Sequence, residues 1–161
     1  MNKYIINISQ LEQKSFPAPM PEEVKERYGG ATMGFIGPLI GAQKLGYNIT
    51  ILPPGKRAFP HHNHRVNEEM FFVLEGNGEI RIGTERTPIK QGDFIACPPG
   101  GLEVAHQIIN TSDKELKYLA VSTKLSPEIA DYPDSGKFGI LTEDFRFVGK
   151  VQDSLDYWQG E

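Results

Sequence analysis

Residues 60–76 read PHHNHRVNEEMFFVLEG, which places three histidines and two glutamates directly before a run of apolar residues. The chain has only four histidines, so three of them within four residues is a concentration that chance rarely produces. Successive side chains of a β-strand point to opposite faces, so His62 and His64 can point together into a fold while His61 and Asn63 point away. Glu69 begins the next predicted strand, and a short turn would return its carboxylate to face the two imidazoles.

Two neighbours of these residues have an alternative interpretation. Glu68 is the rival carboxylate, but its strand parity is opposite to that of Glu69. His61 is best interpreted as a polar residue on the outer face of the strand. The sequence therefore favours His62, His64 and Glu69 as one group of inward-facing side chains.

The chain around this stretch has the pattern of an all-β protein. Seventeen glycines and twelve prolines separate short runs rich in Ile, Val, Phe and Tyr. The two glycines and the asparagine of residues 75–78 predict a tight hairpin with positive φ angles. About eight short strands in so short a span predict a closed or double-sheet barrel. The clearest predicted strands are residues 47–52, 69–74, 79–82, 87–89, 93–96, 106–109 and 115–122.

The segments on either side of this core have weaker patterns. Residues 21–29 predict one short helix, with Pro21 in its first turn and Gly29 where it ends. Residues 31–44 are rich in glycine and predict irregular chain packed against a surface. The chain after Ser122 is polar and predicts an irregular arm. We expect one domain, residues 1–161, with a barrel core of about residues 47–124 and with residues 1–46 and 125–161 packed outside it.

Composition limits the possible partners. The formal net charge of −4 gives no excess of Lys and Arg, so a nucleic-acid partner is not expected. No apolar run approaches the length of about 18 residues that a membrane span needs, and the first residues do not resemble a secretory signal. We expect a cytoplasmic protein that acts on small molecules. The single Cys97 lies among apolar neighbours and is interpreted as an inert core residue.

Two groups of residues resemble the signature motifs of the cupin superfamily. The first motif is matched, with one extra residue before the first histidine, by Gly55, Pro60, His62, His64, Glu69 and Gly76. The second is matched, with five residues instead of two between its second glycine and its histidine, by Gly92, Pro98, Gly100, His106 and Asn110. The resemblance covers about residues 49–122 and implies a jelly-roll β-barrel. Both motifs appear in order, which makes the signal more specific than a lone short motif.

The resemblance implies a metal centre. Its ligands would be His62, His64, Glu69 and His106, and they would hold one divalent transition metal ion such as Zn, Mn, Fe or Ni. Three imidazoles and one carboxylate suit these ions, and four protein ligands on a six-coordinate ion leave two positions for water or substrate.

The function that follows from the resemblance is less specific, because this fold serves many chemistries. The chain is similar to small cupins described as sugar phosphate isomerases, in which the metal would act as a Lewis acid. The alternatives are a metal-dependent dioxygenase and a non-catalytic binding cupin. Arg57, Arg65 and Arg81 are candidates for holding an anionic substrate, and no catalytic base can be named. We also expect a homodimer that forms through the apolar segment 35–40.

Overall fold

A computed structural model describes residues 4–15 and 20–161 of the chain. The described residues contain one α-helix, α1 (Glu22–Tyr28), and short 3-10 turns at Ile8–Gln10, Gly37–Ile40, Leu102–Val104 and Val151–Asp153. The strands are β1 (Lys14–Ser15), β2 (Thr32–Phe35), β3 (Leu45–Leu52), β4 (Asn63–His64), β5 (Glu69–Glu75), β6 (Asn77–Ile82), β7 (Glu85–Lys90), β8 (Phe94–Cys97), β9 (His106–Ile109), β10 (Leu116–Thr123), β11 (Glu128–Tyr132), β12 (Lys137–Leu141) and β13 (Arg146–Lys150).

The strands form three antiparallel sheets. The largest has the order β1-β2-β3-β10-β5-β8, the second has the order β7-β6-β9, and the third has the order β13-β12-β11-β4. The first two sheets contribute side chains to one hydrophobic core, so the chain is a mostly-β jelly roll. The sheets do not close into a continuous barrel.

Alternation of apolar side chains explains why these strands enclose a core. In β5, Phe71 and Val73 are buried while their neighbours are partly exposed, and in β10 the buried residues are Leu116, Tyr118 and Ala120. The period of two directs one face of each strand inward. Burial of these faces supplies the main favourable free energy of folding.

The strand predictions are confirmed in the core, but the hairpin prediction is wrong. Residues 75–78 connect two different sheets, because β5 pairs with β8 and β10 whereas β6 pairs with β7 and β9. Gly76 alone in this connection has a positive φ, at 83°. The real hairpin joins β6 to β7 through Gly83.

The described residues of both flanking segments contain more regular secondary structure than the sequence predicts. The short helix is confirmed, with Pro21 at its N-cap and Gly29 at its C-cap. Residues 31–44 were expected to be irregular, yet they include β2, which pairs with β3 along residues 32–35. The polar arm after residue 125 was also expected to be irregular, and this is wrong, because it forms the three strands β11–β13 and pairs with β4.

Two further features bear on the expected partners. Across the described ranges, no helix is long and apolar enough to cross a membrane. Phe35 and Leu39 of the expected dimer contact are both exposed in the isolated chain. The homodimer itself stays a prediction.

Gly76→Ala should destabilise the fold more than a glycine substitution at an open turn. A Cβ at residue 76 would overlap the carbonyl oxygen of Glu115, and the positive φ would add strain. Gly136 has a φ of 63° but nothing within 4 Å of the added Cβ, so Gly136→Ala isolates the strain alone. We expect Gly136→Ala to lower the free energy of unfolding by about 1 kcal/mol and Gly76→Ala by about 1–3 kcal/mol more. Urea denaturation measures both, and equal losses would contradict the close approach of residue 76 to β10.

Candidate metal centre

Three separate chain segments bring four side chains to one point. His64 lies in β4, Glu69 is the first residue of β5, and His106 is the first residue of β9. His62 precedes β4 and lies beside His106, to which it is joined by two backbone hydrogen bonds of 3.2 and 2.7 Å. His106, the histidine of the second predicted motif, therefore lies beside the histidines of the first motif.

The carboxylate of Glu69 is the centre of this group. Its Oε2 atom lies 3.0 Å from Nε2 of His106, 3.5 Å from Nε2 of His64 and 3.9 Å from Nε2 of His62. Donor atoms of His62, His64 and Glu69 all lie within 4.8 Å of one another. Two ligands on a first-row ion with bonds of about 2.0–2.2 Å are about 3 to 3.5 Å apart, so the contacts of Glu69 with His106 and His64 have the spacing of a coordination shell, whereas the 3.9 Å to His62 is longer. The group within 4.8 Å contains His62, His64 and Glu69, and His106 joins it through its contact with Glu69.

Each imidazole faces a separate acceptor on its Nδ1 side. Nδ1 of His62 lies 2.8 Å from the carbonyl oxygen of Pro60, and Nδ1 of His106 lies 3.4 Å from that of Val104. Nδ1 of His64 lies 3.6 Å from Oε2 of Glu128, which is an electrostatic contact, and this nitrogen has no hydrogen-bond partner among the described residues. The hydrogen bonds that His106 and His64 donate to Glu69 need the proton on Nε2, whereas metal binding would need the proton on Nδ1 and a free Nε2 lone pair. The carbonyl oxygens beside Nδ1 of His62 and His106 would support that second tautomer. The donor set therefore fits a divalent transition metal.

The charges in the centre depend on burial and on mutual contacts. Burial opposes ionisation of Glu69, but hydrogen bonds from His106 and His64 outweigh it and hold the pKa of the carboxyl well below its usual range. Burial, aided by the nearby His106, lowers the pKa of His62 to about 4. For His64, burial is outweighed by Glu69 and Glu128, and its pKa is raised. The centre thus combines an ionised carboxylate with a neutral His62 at neutral pH.

The four side chains form one end of a cavity of about 260 Å³ between the two core sheets. Most of the other walls are apolar or carry uncharged polar groups. The cavity is lined by Met33, Asn48, Ala58, Phe59, His62, His64, Glu69, Phe71, His106, Gln107, Ile108, Tyr118 and Ala120.

The alternative candidates are placed outside this cavity. Glu68 is exposed, as its strand parity indicated. Cys97 is buried opposite Glu69 in the β5–β8 pair, and burial raises the pKa of its thiol to about 12, which fits an inert core residue.

The expectation for His61 is half wrong. Its side chain points away from the centre, but it is only 2% exposed and does not lie on an open outer face. Its Nε2 lies 2.9 Å from the carbonyl oxygen of Ala105, and its Nδ1 lies 3.6 Å from Asp134. Burial lowers its pKa.

The three arginines proposed for anion binding do not line the cavity. Arg65 forms a two-point contact with Asp131, at 2.8 and 3.2 Å, and Arg81 pairs with Asp134 at 2.9 Å. Arg57 is half-buried, and its backbone lies beside β9. A role for these arginines in substrate binding stays a prediction.

Two residues of β11 contribute to the centre without any signal in the sequence. Tyr132 stacks against His62, with ring centroids 6.2 Å apart and planes inclined by 24°. Glu128 is 5% exposed and lies on the Nδ1 side of the His64 ring. Neither residue belongs to a motif, and a lone tyrosine or glutamate in a polar segment gives no indication of such a contact.

Glu128 also organises the turn between β4 and β5. Its carboxylate accepts hydrogen bonds from the backbone N–H groups of Arg65, Val66, Asn67 and Ile129, at 2.8 to 3.2 Å. The turn carries His64 at one end and Glu69 at the other. The C-terminal sheet therefore fixes the spacing between two candidate ligands.

Glu128→Ala should lower the free energy of unfolding by about 3 kcal/mol or more, because it removes the shared acceptor of four backbone N–H groups, of which that of Asn67 is buried. Glu143→Ala is the matched control, since Glu143 is an exposed glutamate of the same arm and should change stability by less than about 0.5 kcal/mol. Chemical denaturation of the two variants makes the comparison. Similar small losses would mean that the Glu128 contacts do not hold the turn.

Comparison with known proteins agrees with the fold and the motifs. Residues 48–122 match the family model of the cupin domain. An uncharacterised protein of Methanocaldococcus jannaschii is 35% identical over 72 residues, which are 45% of this chain and 54% of that relative. The matched region thus spans about half the length of this curated relative.

Two solved structures have a similar fold over nearly the whole chain. A cupin-superfamily sugar phosphate isomerase from Silicibacter pomeroyi has a TM-score of 0.83 at 22% identity, covering 95% of this chain and 97% of its own. A candidate sugar phosphate isomerase from Acidithiobacillus ferrooxidans has a TM-score of 0.79 at 23% identity, covering 96% of each chain. At these identities the likeness shows the fold alone. The family match identifies residues 48–122 as a cupin domain, and the structural likeness extends the shared fold over nearly the whole chain.

Proposed function

We propose that the chain is a metal-dependent isomerase of a small sugar or sugar phosphate. The observation that carries this proposal is the group of three imidazoles and one carboxylate at the end of a cavity of about 260 Å³. The cavity is large enough for a small substrate that contacts the ligand atoms directly. The whole-chain similarity to two cupins named for sugar phosphate isomerisation supports the same class of substrate.

The metal would be held by His62, His64, Glu69 and His106. Zn, Mn, Fe and Ni all suit this donor set. When bound, the ion supplies a Lewis acid that polarises a carbonyl group and stabilises negative charge on its oxygen.

The other residues of the cavity would orient the substrate and exclude water. The apolar walls, which include Phe71 and Ile108, lower the local dielectric and strengthen polar contacts with a bound ligand. The Oε1 atom of Gln107 is buried and has no hydrogen-bond partner among the described residues. A sugar hydroxyl that donates to this oxygen would satisfy it, which favours a polyhydroxylated ligand.

A second candidate, capture of a small molecule without turnover, is favoured by a different observation. Among the described residues that line the cavity, Tyr118 is the titratable side chain that remains besides the four candidate ligands. Burial raises its pKa, so it stays protonated and is a poor base at neutral pH. A binding cupin would need no base.

Proton exchange separates these possibilities. An isomerase that works through an enediolate moves a proton from the carbon beside the carbonyl, so incubation in D₂O should place deuterium at that carbon. We expect metal-loaded protein to incorporate deuterium into an aldose or ketose phosphate, as measured by ¹H NMR, and to lose this activity after chelation.

Glu69→Gln is the variant control, because it keeps the shape of the side chain but removes the charge at the centre, and it should abolish deuterium incorporation. Ligand binding by the loaded protein with no incorporation for any sugar phosphate would favour the binding cupin. Consumption of O₂ during turnover would instead identify an oxygenase and contradict the proposal.

A further inference from the structure

The inner face of the C-terminal sheet carries three basic side chains. Strand pairing places Tyr132, Lys137 and Lys150 in one row across β11, β12 and β13. A second row on the same face contains Glu128, Leu141 and Arg146. Directly paired residues share a face of a sheet, and Ala130 of this face pairs with His64. The face with Lys137, Arg146 and Lys150 is therefore the one that looks toward the candidate metal centre.

A second pocket lies between this face and the centre. It has a volume of about 280 Å³ and is lined by Phe59, Pro60, His62, Tyr132, Lys137 and Val148. It shares Phe59 and His62 with the cavity described above, so these two residues form a common wall of the two spaces. A ligand that occupies both spaces would pass beside these two residues.

Lys137 is the charged side chain in the wall of this pocket, and it has no acidic partner. No carboxylate of the described residues lies within 4.0 Å of its ammonium group, in contrast to Arg65 and Arg81. The ammonium lies 5.9 Å from the centroid of the Tyr132 ring, which in turn stacks on His62. The cation is therefore separated from the centre by one aromatic ring and is available to an anion.

The inner cavity is a poorer place for an anionic group. Its described walls contain the carboxylate of Glu69 and no lysine or arginine. In the chelated protein, a phosphate dianion beside Glu69 would be repelled, whereas the second pocket offers an ammonium and no carboxylate. A substrate with a carbonyl at one end and an anionic group at the other matches this division.

We propose that the pocket between β11–β12 and His62 binds the phosphate group of the substrate, with Lys137 donating hydrogen bonds to its oxygens. The identity of the substrate rests on the proposed function, but the anion site does not. Arg146 and Lys150 on the same face add positive potential that attracts the dianion.

Titration with inorganic phosphate tests the site without turnover. Isothermal calorimetry on the chelated 161-residue chain excludes binding of phosphate to a metal ion. Lys137→Met should weaken phosphate binding about tenfold or more, because a charge-assisted contact is lost. Lys90→Met is the matched control: Lys90 is exposed, pairs with Asp93 at 3.9 Å and lies outside this pocket, so phosphate affinity should stay unchanged.

The outcomes separate this site from the proposed function. Phosphate affinity that falls in Lys137→Met but not in Lys90→Met supports the anion site, even if no sugar phosphate incorporates deuterium. Equal affinity of Lys137→Met and wild type, or no phosphate binding by wild type, overturns it, even if isomerisation is observed. Lys137 is exposed, so the substitution should leave the circular dichroism spectrum unchanged.

Discussion

The contact between the Glu69 carboxylate and three imidazoles is the interaction on which the rest of the site depends. A carboxylate buried without partners costs several kcal/mol, so this position is stable only with cationic or hydrogen-bonding neighbours. The neighbours come from the turn before β4, from β4 itself and from β9. All three sheets must therefore come together around Glu69 before the site exists.

The C-terminal sheet is part of this site and is more than an outer layer. Glu128 holds the turn between two candidate ligands, Tyr132 covers His62, and Lys137 lines the adjoining pocket. These residues add a wall to the site that the two core sheets do not supply.

The sequence predicts the core strands and the meeting of the four candidate side chains at Glu69, because both depend on short-range patterns. Strands such as β5 and β10 bury one face, so their apolar residues alternate and can be recognised. β13 buries none of its residues, so the polar segment that contains it shows no alternation. This explains why the arm was expected to be irregular.

Two other errors have a physical origin in tertiary structure. Strand parity correctly directs His61 away from the centre, but parity cannot tell whether the other face is open, and here Ala105 and Asp134 lie against the ring. The glycine-rich connection at Gly76 has the local pattern of a hairpin, yet it carries the chain from one sheet to another. The local sequence identifies the turn, but it does not show which strands pair on either side of it.

The central claim is that His62, His64, Glu69 and His106 hold one metal ion, and elemental analysis of single variants tests it most directly. His61 and His62 are adjacent histidines, but only His62 faces Glu69. Inductively coupled plasma mass spectrometry of the folded proteins should show about one metal ion per chain in the wild type and in His61→Ala, and sharply lower metal content in His62→Ala and His106→Ala. Equal losses from His61→Ala and His62→Ala, or no loss from His106→Ala, would contradict the account.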